Sequence, residues 1–168
     1  MTAALVSYVR VILFGVAFGL TALSALAQGT LMSFGQSQPD RDAPVQVNAD
    51  SLSVDQETGQ AIFEGNVVVA QGDIRLSAAK VFVVYKEETD GIERLEAEGD
   101  VVLVNGADAA EAQRAVYDID SGNIDMTGDV LLTRGQSVVR AERMVVNLES
   151  GSANLTGRVS TVLNRGDN

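Results

Sequence analysis

Residues 95–105 read Leu-Glu-Ala-Glu-Gly-Asp-Val-Val-Leu-Val-Asn, and their alternation is the clearest indication of secondary structure in the chain. Its apolar side chains fall on odd positions on both sides of Gly99, from Leu95 to Leu103, while acidic residues precede and follow the glycine. A period of two places alternate side chains on opposite faces of a strand, so the stretch predicts a β-strand with one dry face. The Asn105-Gly106 pair that ends it is a hairpin turn signal.

The same pattern returns along the chain at a nearly fixed interval. Each block begins at an alanine and leads to a glycine followed by valine two residues later. The alanines are Ala49, Ala78, Ala112 and Ala141, and the glycines are Gly65, Gly99, Gly128 and Gly157. Successive alanines are 29, 34 and 29 residues apart, and one insertion around residues 87–91 accounts for the longer step. The sequence therefore predicts about four 29-residue repeats.

The dry face changes parity inside the repeat. Ile74 and Leu76 are apolar at even positions, whereas Val81, Val83 and Tyr85 are apolar at odd positions. Such a flip requires a bulge or a corner, at which a strand bends and passes from one sheet to the facing one. The repeated glycine omits a dry-face side chain, which leaves room for the opposite wall or a ligand, or serves as a packing allowance.

These patterns predict an all-β protein. Strands of roughly ten residues, joined by tight turns and long enough to bend, favour an antiparallel folded-over β-jelly roll, a slide-like double sheet with its repeats stacked along one axis. A parallel β-helix with one repeat per coil is the rival. The Asp-Gly and Asn-Gly turns favour hairpins and therefore the antiparallel arrangement.

The chain ends are expected to lie outside this domain, which we place at residues 44–163. Residues 1–27 combine Arg10, an apolar run and Ala25-Leu26-Ala27, which is typical of a signal peptide cleaved on export. An uncleaved membrane anchor is the alternative. Residues 28–43 are rich in Gly, Gln, Ser and Asp and predict a mobile leader, and residues 164–168 form a tail.

Composition excludes several classes of function. The chain has no Cys and no His, which removes thiol nucleophiles and the usual zinc, copper and haem ligands, so we expect no metal site and no cofactor. A formal net charge of −11 argues against nucleic-acid binding. Acidic clusters at residues 87–90 and 118–120 lack the spacing of a calcium loop and are interpreted as solvated turns.

Two segments carry a resemblance to a known family. Residues 44–52 read Pro-Val-Gln-Val-Asn-Ala-Asp-Ser-Leu, and residues 59–67 read Gly-Gln-Ala-Ile-Phe-Glu-Gly-Asn-Val. With the strand motifs at 95–101 and 155–159, they resemble the OstA-like domain of the LptA family of periplasmic lipopolysaccharide-transport proteins. The resemblance covers about residues 44–163. It implies a non-enzymatic β-jelly-roll segment of a periplasmic bridge along which lipopolysaccharide moves to the outer membrane.

The resemblance also implies partners. These are lipopolysaccharide through its lipid A portion, an LptC-like inner-membrane protein at the amino-terminal edge, and a second copy or an LptD-like outer-membrane protein at the carboxy-terminal edge. Arg158 is the one basic residue beside the repeat glycines, so no phosphate-binding cluster can be carried over. Head-to-tail copies of the chain would form a longer filament.

The dry face is either a lipid-binding lumen or a closed core, because a period of two fits both. Each methylene buried there contributes about 0.8 kcal/mol, so acyl chains would supply the affinity that an acidic protein cannot draw from phosphates. The lumen residues predicted are Phe63, Val67, Val83, Tyr85, Leu95, Val101, Tyr117, Met126, Val130, Met144, Val146 and Leu155.

Both ends of the stack are expected to pair with other chains. Terminal strands expose unpaired backbone groups, and residues 45–54 and 155–163 contain no proline to block pairing. The interface residues predicted are Val45, Val47, Leu52, Val54, Val159, Thr161 and Leu163.

Three other functions are weighed against the lipid bridge. The first is a membrane-anchored LptC-like partner of the same fold, and the second is a ligand-free structural spacer. The third is a glycosidase using Glu96, Glu98 or Asp100, since carboxylates two residues apart on a strand lie at a distance that glycosidases use. These three side chains fall on the wet face without a cleft, which favours a solvated acidic stripe.

Overall fold

The computed structural model describes residues 30–35, 43–55, 57, 59–87, 89 and 91–162, and all regular structure within them is β-strand. The predicted signal peptide, the tail, residues 36–42 and Leu163 lie outside the described residues. No helix long and apolar enough to cross a membrane is present in the described part of the chain. The strands are β1 (Thr30–Ser33), β2 (Gln46–Asn48), β3 (Ser51–Asp55), β4 (Gln60–Gln71), β5 (Ile74–Tyr85), β6 (Ile92–Asn105), β7 (Asp108–Asp118), β8 (Asn123–Arg134), β9 (Ser137–Asn147), β10 (Ser152–Thr156) and β11 (Ser160–Val162).

The strands form one antiparallel sheet, as the sequence predicts. From β4 to β10 each strand pairs with the next one along the chain, so every connection is a hairpin, and the longest spans residues 86–91. At one end both β2 and β3 pair with β4, and at the other end β11 pairs with β9 while β1 pairs with β10.

The long strands bend in the middle, so the single sheet folds into two layers. Residues 61–64 of β4 pair with β3 and with the last part of β5, whereas residues 67–71 pair with the first part of β5, and residues 68–70 with β2. The same shift of register interrupts the pairing of each successive pair of strands through β8 and β9. We call the layer that contains β3, β10 and β1 layer one, and the layer that contains β2 and β11 layer two.

Glycine and the residue after it make the corners. Gly128 and Asp129 have φ of 86° and 49°, and the pairs at 65–66, 99–100 and 157–158 share this left-handed geometry. On the strand between two such corners the buried side chains change parity, as from Ala112 to Ala115. The predicted corner is therefore confirmed. The room beside each glycine is taken by a side chain of the neighbouring chain segment and not by the opposite wall, and these side chains are Asp50, Ala79, Gln113 and Glu142.

The dry faces of the two layers enclose one hydrophobic core. Leu95, Met126 and Met144 of layer one and Leu103 and Leu132 of layer two are all at most 4% exposed. They belong to a single cluster that extends from β4 to β10. The row of corners joins the layers along one side, and the hairpin turns lie at the far ends of both layers.

The amino-terminal leader does not behave as the sequence predicts. Thr30–Ser33 form β1, which pairs with β10 in the register Ser33↔Ser152, and Phe34 is fully buried in the core. The strand was missed because four residues are too few to show a period, and edge pairing and burial of one phenylalanine supply the stabilisation that its sequence lacks.

Candidate functional site

The predicted lumen residues lie mostly between the two layers. Phe63 is partly buried and packs against the core, and Tyr85 is 41% exposed because it ends β5 beside the insertion at residues 87–91. The other ten are at most 5% exposed: Val67, Val83, Leu95, Val101, Tyr117, Met126, Val130, Met144, Val146 and Leu155. The structure thus gathers ten of the twelve in the interior.

The interior is closed in this conformation. Val69, Ile74 and Leu76 of layer two face Leu95 and Tyr117 of layer one across an apolar cavity of about 20 Å³. That volume has room for about one water molecule and not for an acyl chain. The Tyr117 hydroxyl also donates a 2.6 Å hydrogen bond to Oε1 of Gln71, which links the two layers on the side opposite the corners.

Residues 30–35, which we call the strap, cross the open side between the layers. In layer one the Phe34 N–H donates to the Gly151 carbonyl over 2.8 Å. Toward layer two the Gly35 N–H donates to Oδ2 of Asp108 over 2.9 Å, and the Phe34 carbonyl accepts from Nδ2 of Asn105 over 3.4 Å. The strap therefore ties the layers together where the corners do not.

The buried polar side chains form hydrogen bonds with the backbone of the amino-terminal segment. Gln71, Asn105 and Asp108 are at most 7% exposed, and Nε2 of Gln71 donates to the Ala43 carbonyl over 3.1 Å. Sequence reasoning missed these residues because Gln71-Gly72 and Asn105-Gly106 are also ordinary turn signals. The one available signal was Phe34, a single aromatic residue in a polar, glycine-rich stretch.

At the amino-terminal end of the sheet the apolar inner face reaches solvent. Leu52 and Val54 of β3 are 55% and 63% exposed, and they lie directly opposite Phe63 and Ala61 of β4. Opposite residues in an antiparallel pair project to the same face, so Leu52 and Val54 continue the lumen face beyond the core. Val45 and Val47 are partly buried and pack against that core.

The carboxy-terminal edge is divided between two strands. In layer two β11 is terminal, with Thr161 opposite Val139 and with Val159 37% exposed. In layer one β10 is covered by β1, so the expectation that residues 155–163 form the whole terminal edge is wrong. The leader reaches across and takes the terminal position there.

Ion pairs occupy the charged side chains that had suggested other chemistry. Glu96 accepts from Arg94 over 2.8 Å and from Arg114 over 2.6 Å, and Glu98 lies 3.0 Å from Arg114. Such Arg-paired carboxylates on the outer face give no acid–base pair of the glycosidase kind. Arg158 lies 2.6 Å from Glu142 and is thereby engaged within the chain.

The acidic turn at residues 118–120 is likewise satisfied internally, whereas Glu88 and Asp90 of the cluster at residues 87–90 lie outside the described residues. The hydroxyl and the backbone N–H of Ser121 donate hydrogen bonds to Asp118, which holds the pKa of that carboxyl below its usual value. Asp120 accepts from Lys86 over 2.7 Å. Among the residues that the structure describes, no group of three or more acidic side chains is placed to hold a metal ion.

Comparisons with known proteins agree with this architecture. An uncharacterised protein of Rhizobium meliloti is 33% identical over 117 residues, which are 66% of this chain and 63% of that protein. The lipopolysaccharide export system protein LptH of Pseudomonas aeruginosa is 38% identical over 74 residues, which are 44% of this chain and 38% of that protein. The chain thus spans less than two thirds of the length of these relatives.

A solved structure shows the same fold. The crystal structure of LptH, the LptA-homologous periplasmic component of the lipopolysaccharide transport device of Pseudomonas aeruginosa, superimposes with a TM-score of 0.67 at 19% identity. It covers 76% of this chain and 99% of that structure. The family model of the LptA/(LptD N-terminal domain) LPS transport proteins matches residues 46–152, more than half of the chain. The chain belongs to this family, whose members are transport proteins and not enzymes.

Proposed function

We propose that this chain is a periplasmic, lipid-binding segment of a bridge that carries lipopolysaccharide from the inner to the outer membrane. The observation that carries the proposal is the apolar interior between the layers, which extends through the sheet from β10 to β4 and reaches solvent at Leu52 and Val54. Acyl chains of lipid A would lie along this interior, and family membership supports lipopolysaccharide as the cargo.

Acyl chains account for the affinity without basic residues. At about 0.8 kcal/mol per buried methylene, one twelve-carbon chain gains roughly 10 kcal/mol before the cost of ordering it. The phosphates and sugars would remain in water or with divalent cations. This arrangement fits a net charge of −11 and an Arg158 that is paired with Glu142.

Lipid entry requires the layers to separate. The backbone connects them through the corners on one side, whereas on the other side the described contacts are side-chain and strap hydrogen bonds such as Tyr117 to Gln71. Opening there breaks a few hydrogen bonds and exposes apolar surface that acyl chains would then cover, but it unfolds no strand. Opening at the turn side would thus expose the dry faces while keeping the ladder intact.

The two terminal edges would join the chain to its neighbours. Through its amino-terminal edge, which carries β2 and β3, it would meet an LptC-like protein of the inner membrane. Through β11 it would meet a second copy or an LptD-like protein of the outer membrane. Strand addition at a free edge supplies backbone hydrogen bonds on either side.

Photo-crosslinking tests the lumen directly. A photoreactive amino acid at Phe63, Tyr117 or Met144 is expected to label lipopolysaccharide, because these side chains project between the layers. The matched controls are Glu96 and Asp129, which lie on the outer face. Equal labelling from inner and outer positions would contradict a lumen.

The ligand-free spacer remains the second candidate, because the cavity of about 20 Å³ is too small for a lipid. Displacement of an apolar dye by purified lipid A distinguishes the two functions, since a spacer has no cavity for which they compete. Sequencing the amino terminus of protein recovered from the cell envelope separates a cleaved, exported chain from a membrane-anchored LptC-like one.

A further inference from the structure

We propose that Phe34 occupies an acyl-chain subsite of the lumen and that the strap is a gate which lipid must displace. This inference rests on the proposed function, since it assigns a regulated entrance to the same lumen. The gate would close the interior when no lipid is bound and would open on the side opposite the corners.

Burial of Phe34 is the first step. It is 0% exposed and belongs to the same hydrophobic cluster as Met126 and Met144, although it follows a strand of only four residues. Because its side chain is aromatic, Phe34 buries a large apolar area even though the adjoining strand is short. The space that Phe34 fills is therefore apolar, continuous with the interior and available to another hydrocarbon when the strap leaves.

The second step is that the body of the protein is built to hold the strap. Asn105 and Asp108 are buried polar side chains, and each hydrogen bonds to the strap backbone. The Arg134 guanidinium donates to the Ser33 carbonyl over 3.2 Å. Gly35 has a φ of 83°, which L side chains rarely adopt, and a Cβ there would lie 2.0 Å from Nδ2 of Asn105, so any other residue would be strained and would displace the Asn105 amide.

The third step is that these contacts are reversible. Water can take over the hydrogen bonds of the carboxylate, amide and guanidinium groups once the strap leaves, so their release leaves no buried polar group without a partner. The apolar gap left by Phe34 is the remaining penalty, and a bound acyl chain removes it. Lipid and Phe34 are thus alternative occupants of one site.

A disulfide lock tests the gate, because the chain contains no cysteine of its own. Ser33 and Ser152 are directly opposite in the β1–β10 pair, which places their Cα atoms within disulfide range. In Ser33→Cys/Ser152→Cys we expect oxidation to weaken the direct binding of purified lipid A by about tenfold or more, since it removes the open population. Reduction is expected to restore binding.

The control is Val68→Cys/Ser77→Cys, which crosslinks two neighbouring strands away from the strap and should bind lipid A equally in both redox states. Equal binding by the oxidised and reduced strap variant would overturn the gate while leaving the lumen in place. Absence of lipid A binding in both redox states and in the unmodified chain would overturn the proposed function and the gate together.

A second variant requires no oxidant. Phe34→Ala empties the subsite without a covalent change, and we expect it to bind lipid A more tightly than the unmodified chain. Thermal unfolding without lipid checks that the variant is folded. Weaker binding by a folded Phe34→Ala protein would overturn the subsite.

Discussion

Glycine at a corner meets two separate demands. At Gly99 the backbone has a φ of 80°, which L side chains rarely adopt, and a Cβ there would lie 2.9 Å from the Cβ of Ala79 on the neighbouring strand. The side chain of Ala79 has no rotamer by which to withdraw. Conformation and close approach therefore select glycine independently, and the two contributions can be measured apart.

We expect Gly99→Ala to lower the free energy of unfolding by about 3 kcal/mol, combining left-handed strain with overpacking. Gly106→Ala is the matched control, because Gly106 has a φ of 63° and nothing lies within 4 Å of its added Cβ. It is expected to lose about 1 kcal/mol from the backbone alone. Urea unfolding of both variants gives the comparison.

Combining Ala79→Gly with Gly99→Ala completes the test. The double variant restores the space but keeps the unfavourable φ, so part of the loss should be recovered. A double variant no more stable than Gly99→Ala would show that the contact with Ala79 has no energetic role.

For the strands, the sequence pattern predicts the features that recur in every repeat, which are the corner and the buried face. The parity flip between Leu76 and Val81 correctly indicated a corner, because a strand with one dry face cannot change parity without a bend. The period of two likewise placed Leu95 and Met144 inside. The period of two does not distinguish a lipid-binding lumen from a closed core, because it identifies the apolar face of a strand and not what packs against that face.

The strap was not predictable in the same way. Thr30–Ser33 have no alternation of their own, and their position depends on β10, which lies near the other end of the sequence. Asn105 and Asp108 flank a turn, and their side chains would be solvated if the strap were absent. The polar part of the candidate site depends on tertiary contacts that neither local propensity nor spacing encodes.

Strand β11 carries the prediction for assembly. In an antiparallel pair the N–H groups of successive residues point alternately toward the partner and away from it, so one of Thr161 and Val162 directs its N–H outward from β9. Proline at that residue should abolish concentration-dependent oligomers while preserving the unfolding transition. Proline at the other residue should also weaken the β11–β9 pair.

Sedimentation velocity over a range of concentrations, with thermal unfolding in parallel, measures both effects for Thr161→Pro and Val162→Pro. Val162 lies opposite Val138 on the outer face, whereas Thr161 lies opposite the buried Val139 on the lumen face, so lipid A binding by Val162→Pro serves as the internal control. Two folded variants that sediment like the unmodified chain would exclude β11 as the joining edge.

For the whole molecule, pairing between strands that are neighbours in sequence means that the sheet can be shortened by removing whole repeats. Deleting residues 112–140 removes one 29-residue repeat and joins Glu111 to Ala141, which takes the corner position that Ala112 occupied. We expect a folded sheet that is two strands shorter, by about 10 Å along its axis. Small-angle scattering and cooperative thermal unfolding measure the length and the integrity of the fold.

Deleting residues 113–140 is the matched control, because this deletion removes one residue fewer than the repeat contains. A slip of one residue sends every later dry-face side chain to the wet face, so this variant is expected not to fold. If both deletion variants folded, or if neither did, the inward–outward register of the side chains would not be what sets the 29-residue length of the repeat.

The pairing of β1 with β10 also sets an order in time. Every other described strand pair joins neighbours along the chain or strands with one strand between them, whereas Ser33 must wait for Ser152. A polypeptide that emerges amino-terminus first, from a ribosome or a translocation channel, displays β1 well before its partner β10. Contacts between distant residues close more slowly than hairpins. Each newly made molecule therefore passes through an interval in which most of the sheet has formed, while the strap has not yet paired with β10 and the open side between the layers is uncovered.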